Sequence, residues 1–210
     1  MVDISIRGEL WDDDSADVLR WWGFRDITAP MDIRAALEAA GGDEVTVLVN
    51  SPGGDMTVGA EIRSILRRYQ GKTTALFQGY GASAATLAVS ACSVIQSEPG
   101  ALLCYHNPSG TTDGDYHEMR RSAEALRNAR DCILEMYTAR SGSRSREELI
   151  SLMDKNIWIT LPLLSGFTQK ICPFWKSSVS PCVTYKSNQN EQNKTFFLNK
   201  PQFRESLPAG

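Results

Sequence analysis

Gly79-Tyr80-Gly81-Ala82-Ser83-Ala84-Ala85-Thr86 is the stretch on which the reading of this 210-residue chain turns. It follows an extended run over 72–78 (Thr73, Thr74, Ala75, Leu76 and Phe77 within it) and opens into small residues, the pattern of a strand turning sharply into a helix at a serine. Such a turn leaves the Ser83 hydroxyl accessible beside backbone N–H groups that no preceding helical turn can satisfy. An acyl-transfer enzyme places its nucleophile there. Serine is also a preferred helix N-cap, and Gly and Ala allow a helix to lie close on a sheet, so the string alone reads more readily as structure. Its company changes the balance: Asn50-Ser51-Pro52-Gly53-Gly54 upstream and Tyr105-His106-Asn107-Pro108 downstream.

Outward from that turn, the chain alternates strand and helix patterns. Residues 3–10 alternate apolar and polar and read as an opening strand. Trp11-Asp12-Asp13-Asp14-Ser15 precedes an apolar-periodic segment with Val18, Leu19, Trp21 and Trp22, and its carboxylates suit a helix cap and dipole better than a metal. Ala29-Pro30-Met31-Asp32 opens a second helix, with Ile33, Ala36, Leu37 and Ala40 on one face and a stop at Gly41-Gly42. The β-branched run over 44–50 is a buried strand ending at Ser51-Pro52-Gly53-Gly54, a loop whose glycines permit positive φ and present bare N–H groups.

Residues 56–69 form an amphipathic helix with Val58, Ile62, Ile65 and Leu66 inward and Arg63, Arg67 and Arg68 on a solvated face. After Ser83 come a helix over 84–91 and strands over 93–96 and 101–105. The repeated crossovers predict an α/β fold with a largely parallel sheet. A long helix over 117–140, with Met119, Ala123, Leu126, Ile133 and Tyr137 spaced mostly by three and four, is expected to protrude and pack on another subunit. Ser145-Arg146-Glu147-Glu148 is a capping box opening a short helix through Met153, and 154–160 leaves it extended. One domain over 1–171 is expected, followed by a disordered tail over 172–210 that is rich in Ser, Asn and Gln and has no clear period.

Composition narrows the function classes. A net charge of −3 provides no basic surplus for nucleic acid or anionic lipid. The longest apolar runs fall far short of the roughly 20 residues that cross a bilayer, and the opening residues lack the pattern of a signal peptide, so neither a membrane partner nor secretion is expected and a cytoplasmic location is. Five widely spaced cysteines without a C-x-x-C pair read as reduced thiols, with Cys92, Cys104 and Cys132 as small core residues. With two histidines and no His/Cys cluster, no metal is expected.

At Asn50 to Gly54, Gly79 to Ala85, His106-Asn107-Pro108 and the 154–160 segment, the sequence resembles the proteolytic subunit of the Clp serine protease family. More narrowly it resembles the phage and prophage branch of head-maturation proteases. The resemblance implies a crotonase-like α/β spiral built of β-β-α units, a homo-oligomeric ring and serine-type peptide-bond hydrolysis without a cofactor. It implies Ser83 as nucleophile, His106 as general base, and the backbone N–H groups of Gly54 and Ala84 as the oxyanion hole. Alignment of Trp158-Ile159-Thr160 puts Asn156 where the family has the Asp that orients the histidine, with Asp154 as the alternative third member.

The implied partners are a protein substrate, such as a capsid or scaffold precursor, and an ATP-dependent unfoldase; with no Walker-type loop in the sequence, ATP use belongs to a partner. Two other readings are compatible with the same residues: a catalytically impaired ring protein serving assembly, and a crotonase-type acyl-CoA hydratase or isomerase. After Thr160 the sequence departs from the family, with Leu161-Pro162-Leu163-Leu164-Ser165 where the family has an Ala/Glu-rich helix.

Overall fold

Alternating β-branched residues set the centre of the sheet. On β3 (Val45–Gly54), Val45, Val47 and Val49 are buried on one face, and on β1 (Val2–Leu10) Ile4 and Ile6 lie directly opposite Val47 and Val49 in a parallel register. Side chains at every second position therefore meet across the pair, as the two-residue period of a strand requires. The computed structural model describes residues 2–141 and 145–160. Within them β1 and β3 join β2 (Ile27–Thr28), β4 (Thr73–Ala82), β5 (Val94–Ser97), β6 (Leu102–Tyr105) and β7 (Ile157–Thr160) in a seven-stranded sheet of order β2-β1-β3-β4-β6-β7, with β5 also paired to β4. All pairs are parallel except the last, β6 with β7.

The helices follow their caps. In α1 (Asp13–Trp21) Asp12 caps the first turn by accepting from the Ser15 N–H at 2.9 Å, as its acidic run predicts. Helix α2 (Pro30–Ala40) buries Ile33, Leu37 and Ala40 and ends at Gly41 with φ 59°, a left-handed stop that glycine adopts without penalty. Helix α3 (Met56–Arg68), capped by Asp55, buries Val58, Ile62 and Leu66 and lies between α2 and the short α4 (Ala84–Ala88). The capping box at Ser145 and Glu148 opens α6 (Arg146–Asp154).

Four local expectations change. Strand β3 runs on through Ser51-Pro52-Gly53-Gly54 instead of stopping before it, because Glu9 and Leu10 of β1 continue to pair with Gly53 and Gly54 past a register shift. The helix over 84–91 breaks into α4 and a 3-10 turn (Val89–Ala91), where Ser90 Oγ donates to the Leu87 carbonyl at 2.7 Å. That same Ser90 Oγ accepts from Arg63 Nε at 2.9 Å, and Arg63 also reaches the Met136 carbonyl, so Arg63 is a half-buried tie between elements and not part of a solvated face. In α1 only Ala16 is buried, while Val18, Trp21 and Trp22 are exposed, because α1 packs chiefly on the two-residue edge strand β2 (Ile27–Thr28).

Helix α5 (Tyr116–Ser141) protrudes for only part of its length. Its first half carries exposed Tyr116 and Met119, whereas Ile133, Leu134 and Tyr137 of its second half enter the core. Among the described residues no helix is long and apolar enough to cross a membrane. The expectations for 161–171 and for a disordered tail over 172–210 lie outside the described residues.

Gly59 shows how closely the layers meet. A Cβ there would lie 2.7 Å from the Ala84 carbonyl oxygen, on the neighbouring helix and one residue from Ser83. Helix propensity alone favours Gly→Ala by about 1 kcal/mol. Gly59→Ala is nevertheless expected to destabilise the fold by about 1–3 kcal/mol through overpacking, read as a lower urea midpoint at unchanged slope.

Candidate active site

In a parallel sheet the carboxyl ends of neighbouring strands open onto one crevice, which is where such folds place ligands. Here β3 ends at Gly54, β4 (Thr73–Ala82) is followed by Ser83, and β6 (Leu102–Tyr105) is followed by His106. The pairing of β4 is divided: Thr74 to Phe77 pair with β5 (Val94–Ser97), and Tyr80 to Ala82 pair with β6. The fork brings β6 beside the end of β4, with Ala82 opposite Cys104, and the Ser83 N–H donates to the Cys104 carbonyl at 3.0 Å.

The Ser83 backbone has φ 54° and ψ −128°, outside the ordinary wells of a residue with a side chain. Such a conformation costs of order 1–3 kcal/mol and persists only when its surroundings over-determine it. They do so here. The Ser83 carbonyl accepts from the Thr86 N–H at 3.0 Å and from Thr86 Oγ1 at 2.7 Å, and Thr86 Oγ1 shares a further 2.7 Å hydrogen bond with the Tyr137 hydroxyl of α5. From the other side Gly53 presses on the turn: a Cβ at Gly53 would lie 2.7 Å from Ser83 Cβ and 2.9 Å from the Ala84 nitrogen. The buried Ser51 fixes that strand end, its hydroxyl donating to the Gly8 carbonyl at 2.6 Å and accepting from the Gly53 N–H at 3.1 Å.

Gly54, Ser83, Ala84 and His106 line one cavity of about 340 Å³, closed on its far wall by Leu126, Ile133 and Tyr137 of α5. Four of the residues singled out in the sequence are thus brought together. Ala84 is the first residue of α4, where N–H groups have no intrahelical acceptor. The His106 Nδ1 lies 2.6 Å from the Asn107 carbonyl oxygen. A carbonyl can only accept, so this contact places the ring proton on Nδ1 and leaves the Nε2 lone pair free to act as a base.

The two candidates for the third position make hydrogen bonds of their own to groups other than the His106 ring. Asn156 has φ 48° and its N–H donates to the Met153 carbonyl at 3.1 Å, the left-handed residue that closes α6, while its Oδ1 accepts from Cys104 Sγ at 3.4 Å. Asp154 accepts from Asn107 Nδ2 at 2.8 Å. Neither hydrogen-bonds His106; Asp154 reaches it only through Asn107. Sequence reasoning passed over Asn107, Ser51, Gly53, Thr86 and Tyr137 as parts of the site. Ser51, Gly53, Thr86 and Asn107 stood inside quoted motifs, whereas nothing local marks Tyr137 as a partner of the site.

None of the three described cysteines lines this cavity. Burial pushes the Cys92 and Cys104 thiols up to about 12, so both stay protonated at neutral pH. Cys132 is exposed, on the outer side of α5, and corrects its reading as a core residue. Among the described residues no group of three or more His, Cys, Asp or Glu is placed to hold a metal.

A family model described as Clp protease matches residues 31–162, which takes in Ser83, His106, Asp154 and Asn156. An ATP-dependent Clp protease proteolytic subunit of Nephroselmis olivacea is 27% identical over 114 residues, 53% of this chain and 54% of that protein. The ATP-dependent Clp protease proteolytic subunit 1 of Streptomyces avermitilis is 29% identical over 119 residues, 56% of this chain and 54% of that protein. The match therefore spans about half the length of these curated relatives. A solved structure of a ClpP1 mutant from Listeria monocytogenes superposes with a TM-score of 0.58 at 20% identity, covering 76% of this chain and 82% of that one, and shares its fold.

The protonation of the buried thiols gives a direct check. Iodoacetamide at pH 8 is expected to alkylate Cys132 in the native protein and to leave Cys92 and Cys104 unmodified until denaturant is added, as mapped by peptide mass spectrometry.

Proposed function

The chain belongs to the Clp protease family, and from that premise we propose that it is a serine endopeptidase whose nucleophile is Ser83 and whose general base is His106. The observation that carries this reading is the convergence of Gly54, Ser83, Ala84 and His106, from the ends of three adjacent parallel strands, on one cavity. His106 Nε2 takes the Ser83 proton as Oγ attacks the peptide carbonyl carbon. The resulting oxyanion is met by the N–H groups of Gly54 and Ala84. Collapse of the tetrahedral species breaks the C–N bond, with His106 returning the proton to the leaving amine, and water then hydrolyses the acyl-enzyme by the same base. Removing one such oxyanion donor costs about 2.7–4 kcal/mol of transition-state stabilisation.

The third position is filled here by a main-chain group. The Asn107 carbonyl holds the Nδ1 proton, and Asp154 fastens the Asn107 side chain, so its carboxylate acts on His106 through one intermediary. Asn156 is assigned to the turn that ends α6. A carbonyl dipole fixes the tautomer as well as a carboxylate does but stabilises imidazolium less. The substrate is a polypeptide, and the phage-like motifs favour a capsid or scaffold precursor processed inside the host cytoplasm. A homo-oligomeric ring is supported by the exposed Tyr116 and Met119 on the protruding half of α5. An ATP-driven unfoldase as partner is favoured by the similarity to ATP-dependent Clp protease proteolytic subunits.

A fluorophosphonate probe is expected to label Ser83 in wild type and to label neither Ser83→Ala nor unfolded protein. Cleavage of an unfolded protein substrate should fall by at least about 10³-fold in Ser83→Ala and in His106→Ala; an unlabelled but oligomeric wild type would instead support the assembly-protein reading. Asn156→Gly keeps the left-handed turn while removing the amide. Its kcat/KM is expected to stay within about tenfold of wild type, whereas a loss of about 10³–10⁴-fold would make Asn156 the orienting residue after all.

A further inference from the structure

We infer that the pocket next to the catalytic cavity is a subsite for an acidic side chain of the peptide, with Arg127 and Arg130 receiving the carboxylate. The inference rests on the peptidase reading and names the substrate class. This second cavity, of about 220 Å³, is lined by Asn107, Pro108, Ala123, Leu126, Arg127 and Arg130. Pro108 and Leu126 also line the cavity that holds Ser83 and His106, so the two spaces meet along a shared wall.

Two of its lining residues carry buried polar atoms without a hydrogen-bond partner, Asn107 Oδ1 and Arg130 Nε. Both atoms are closed to solvent, so the polar groups left to meet a ligand in the cavity are the terminal guanidinium N–H groups of the exposed Arg127 and the half-buried Arg130. The orientation of Asn107 is not arbitrary. The Asp154 carboxylate can only accept, so it draws Nδ2 towards itself at 2.8 Å and leaves Oδ1 as the unpaired end. Arg130 has no carboxylate of its own within hydrogen-bond reach: Asp131 lies 3.9 Å from Nε and is engaged at 2.7 Å by Arg146.

Arg127 stands three residues before Arg130 on α5, which places both guanidinium groups on one side of the helix. Pro108, Ala123 and Leu126 supply apolar walls for the methylenes of a Glu or Asp. An acidic residue within a peptide fits this lining, its carboxylate accepting from the arginines and its methylenes lying on the apolar walls. The same two positive charges disfavour a basic side chain.

The test is binding to the Ser83→Ala protein, which reads the pocket without turnover. A series of fluorescent decapeptides carries one Glu moved stepwise along a neutral sequence, each with its Gln counterpart, and binding is followed by anisotropy. At one position Glu is expected to bind about tenfold tighter than Gln. That gap should shrink as salt is raised and close towards unity in Arg127→Gln/Arg130→Gln. Equal affinities of Glu and Gln peptides at every position would overturn the inference, as would a preference that survives intact in the double variant. The wild-type ratio and its salt dependence decide the matter even if the double variant folds poorly. Cleavage of the same peptides by wild type is scored separately: acid-selective binding with no hydrolysis refutes the peptidase assignment and keeps the subsite, and hydrolysis without acid preference does the reverse.

Discussion

Backbone meeting backbone at the end of β3 is the contact on which this structure depends. Gly53 comes so near the turn at Ser83 that a single methyl group would collide with Ser83 Cβ and with the Ala84 nitrogen. This approach holds the serine in a conformation that an isolated chain would avoid. It also delivers the Gly54 strand end to the same cavity as the first N–H groups of α4. A larger residue at 53 would separate the two strand ends and with them the parts of the site, and one at 54 would collide with the Leu10 backbone of β1.

The turn is locked from behind as well. Thr86 links the Ser83 carbonyl to the Tyr137 hydroxyl, so the long helix α5 is fastened to the Ser83 turn by a buried hydrogen-bond chain and not only by apolar contact. Buried networks that are fully satisfied rigidify what they join. Arg63 performs a comparable role nearby, tying α3 to the 3-10 turn through Ser90 and to α5 through the Met136 carbonyl. The second half of α5 is thus part of the wall of the cavity that holds Ser83 and His106, and its first half extends beyond the core.

Around His106 the division of labour differs from a simple Ser-His-carboxylate line. The neighbouring main-chain carbonyl takes the Nδ1 proton, the Asn107 side chain leads on to Asp154, and Asn156 closes a helix while accepting from the protonated Cys104 thiol. The left-handed φ of Asn156 is a sufficient local reason for an Asn at that position, since Asn tolerates this region better than most residues. A residue aligned with a catalytic position can be kept there by backbone geometry alone.

Much of the fold was legible in the chain because its signals are local. The β-branched alternation of Val45, Val47 and Val49, the Asp12 cap, the Gly41 stop and the capping box at Ser145 each act within a few residues, and each element appears where its signal stands. Ser83 and His106 were legible as candidates because both follow strands in a parallel pattern, and parallel strands end together. Side-chain partners were not legible. Nothing within several residues of Trp21 says that only a two-residue edge strand lies behind it, nor that Arg63 has a carbonyl waiting 73 positions away.

The sequence by itself therefore determined the order of strands and helices, the sharp turn at Ser83 and the identity of the groups able to do acyl-transfer chemistry, since these follow from short-range sterics and hydrogen bonding. Only the tertiary structure decided which of those groups meet. The fork in β4 that seats β6 beside Ser83, the hydrogen bond that sends Asn107 to Asp154, and the meeting of Asn107 with Arg127 and Arg130 around a second pocket all join residues far apart in the chain. Such pairings are selected by packing of the whole core, a global constraint that no local pattern encodes.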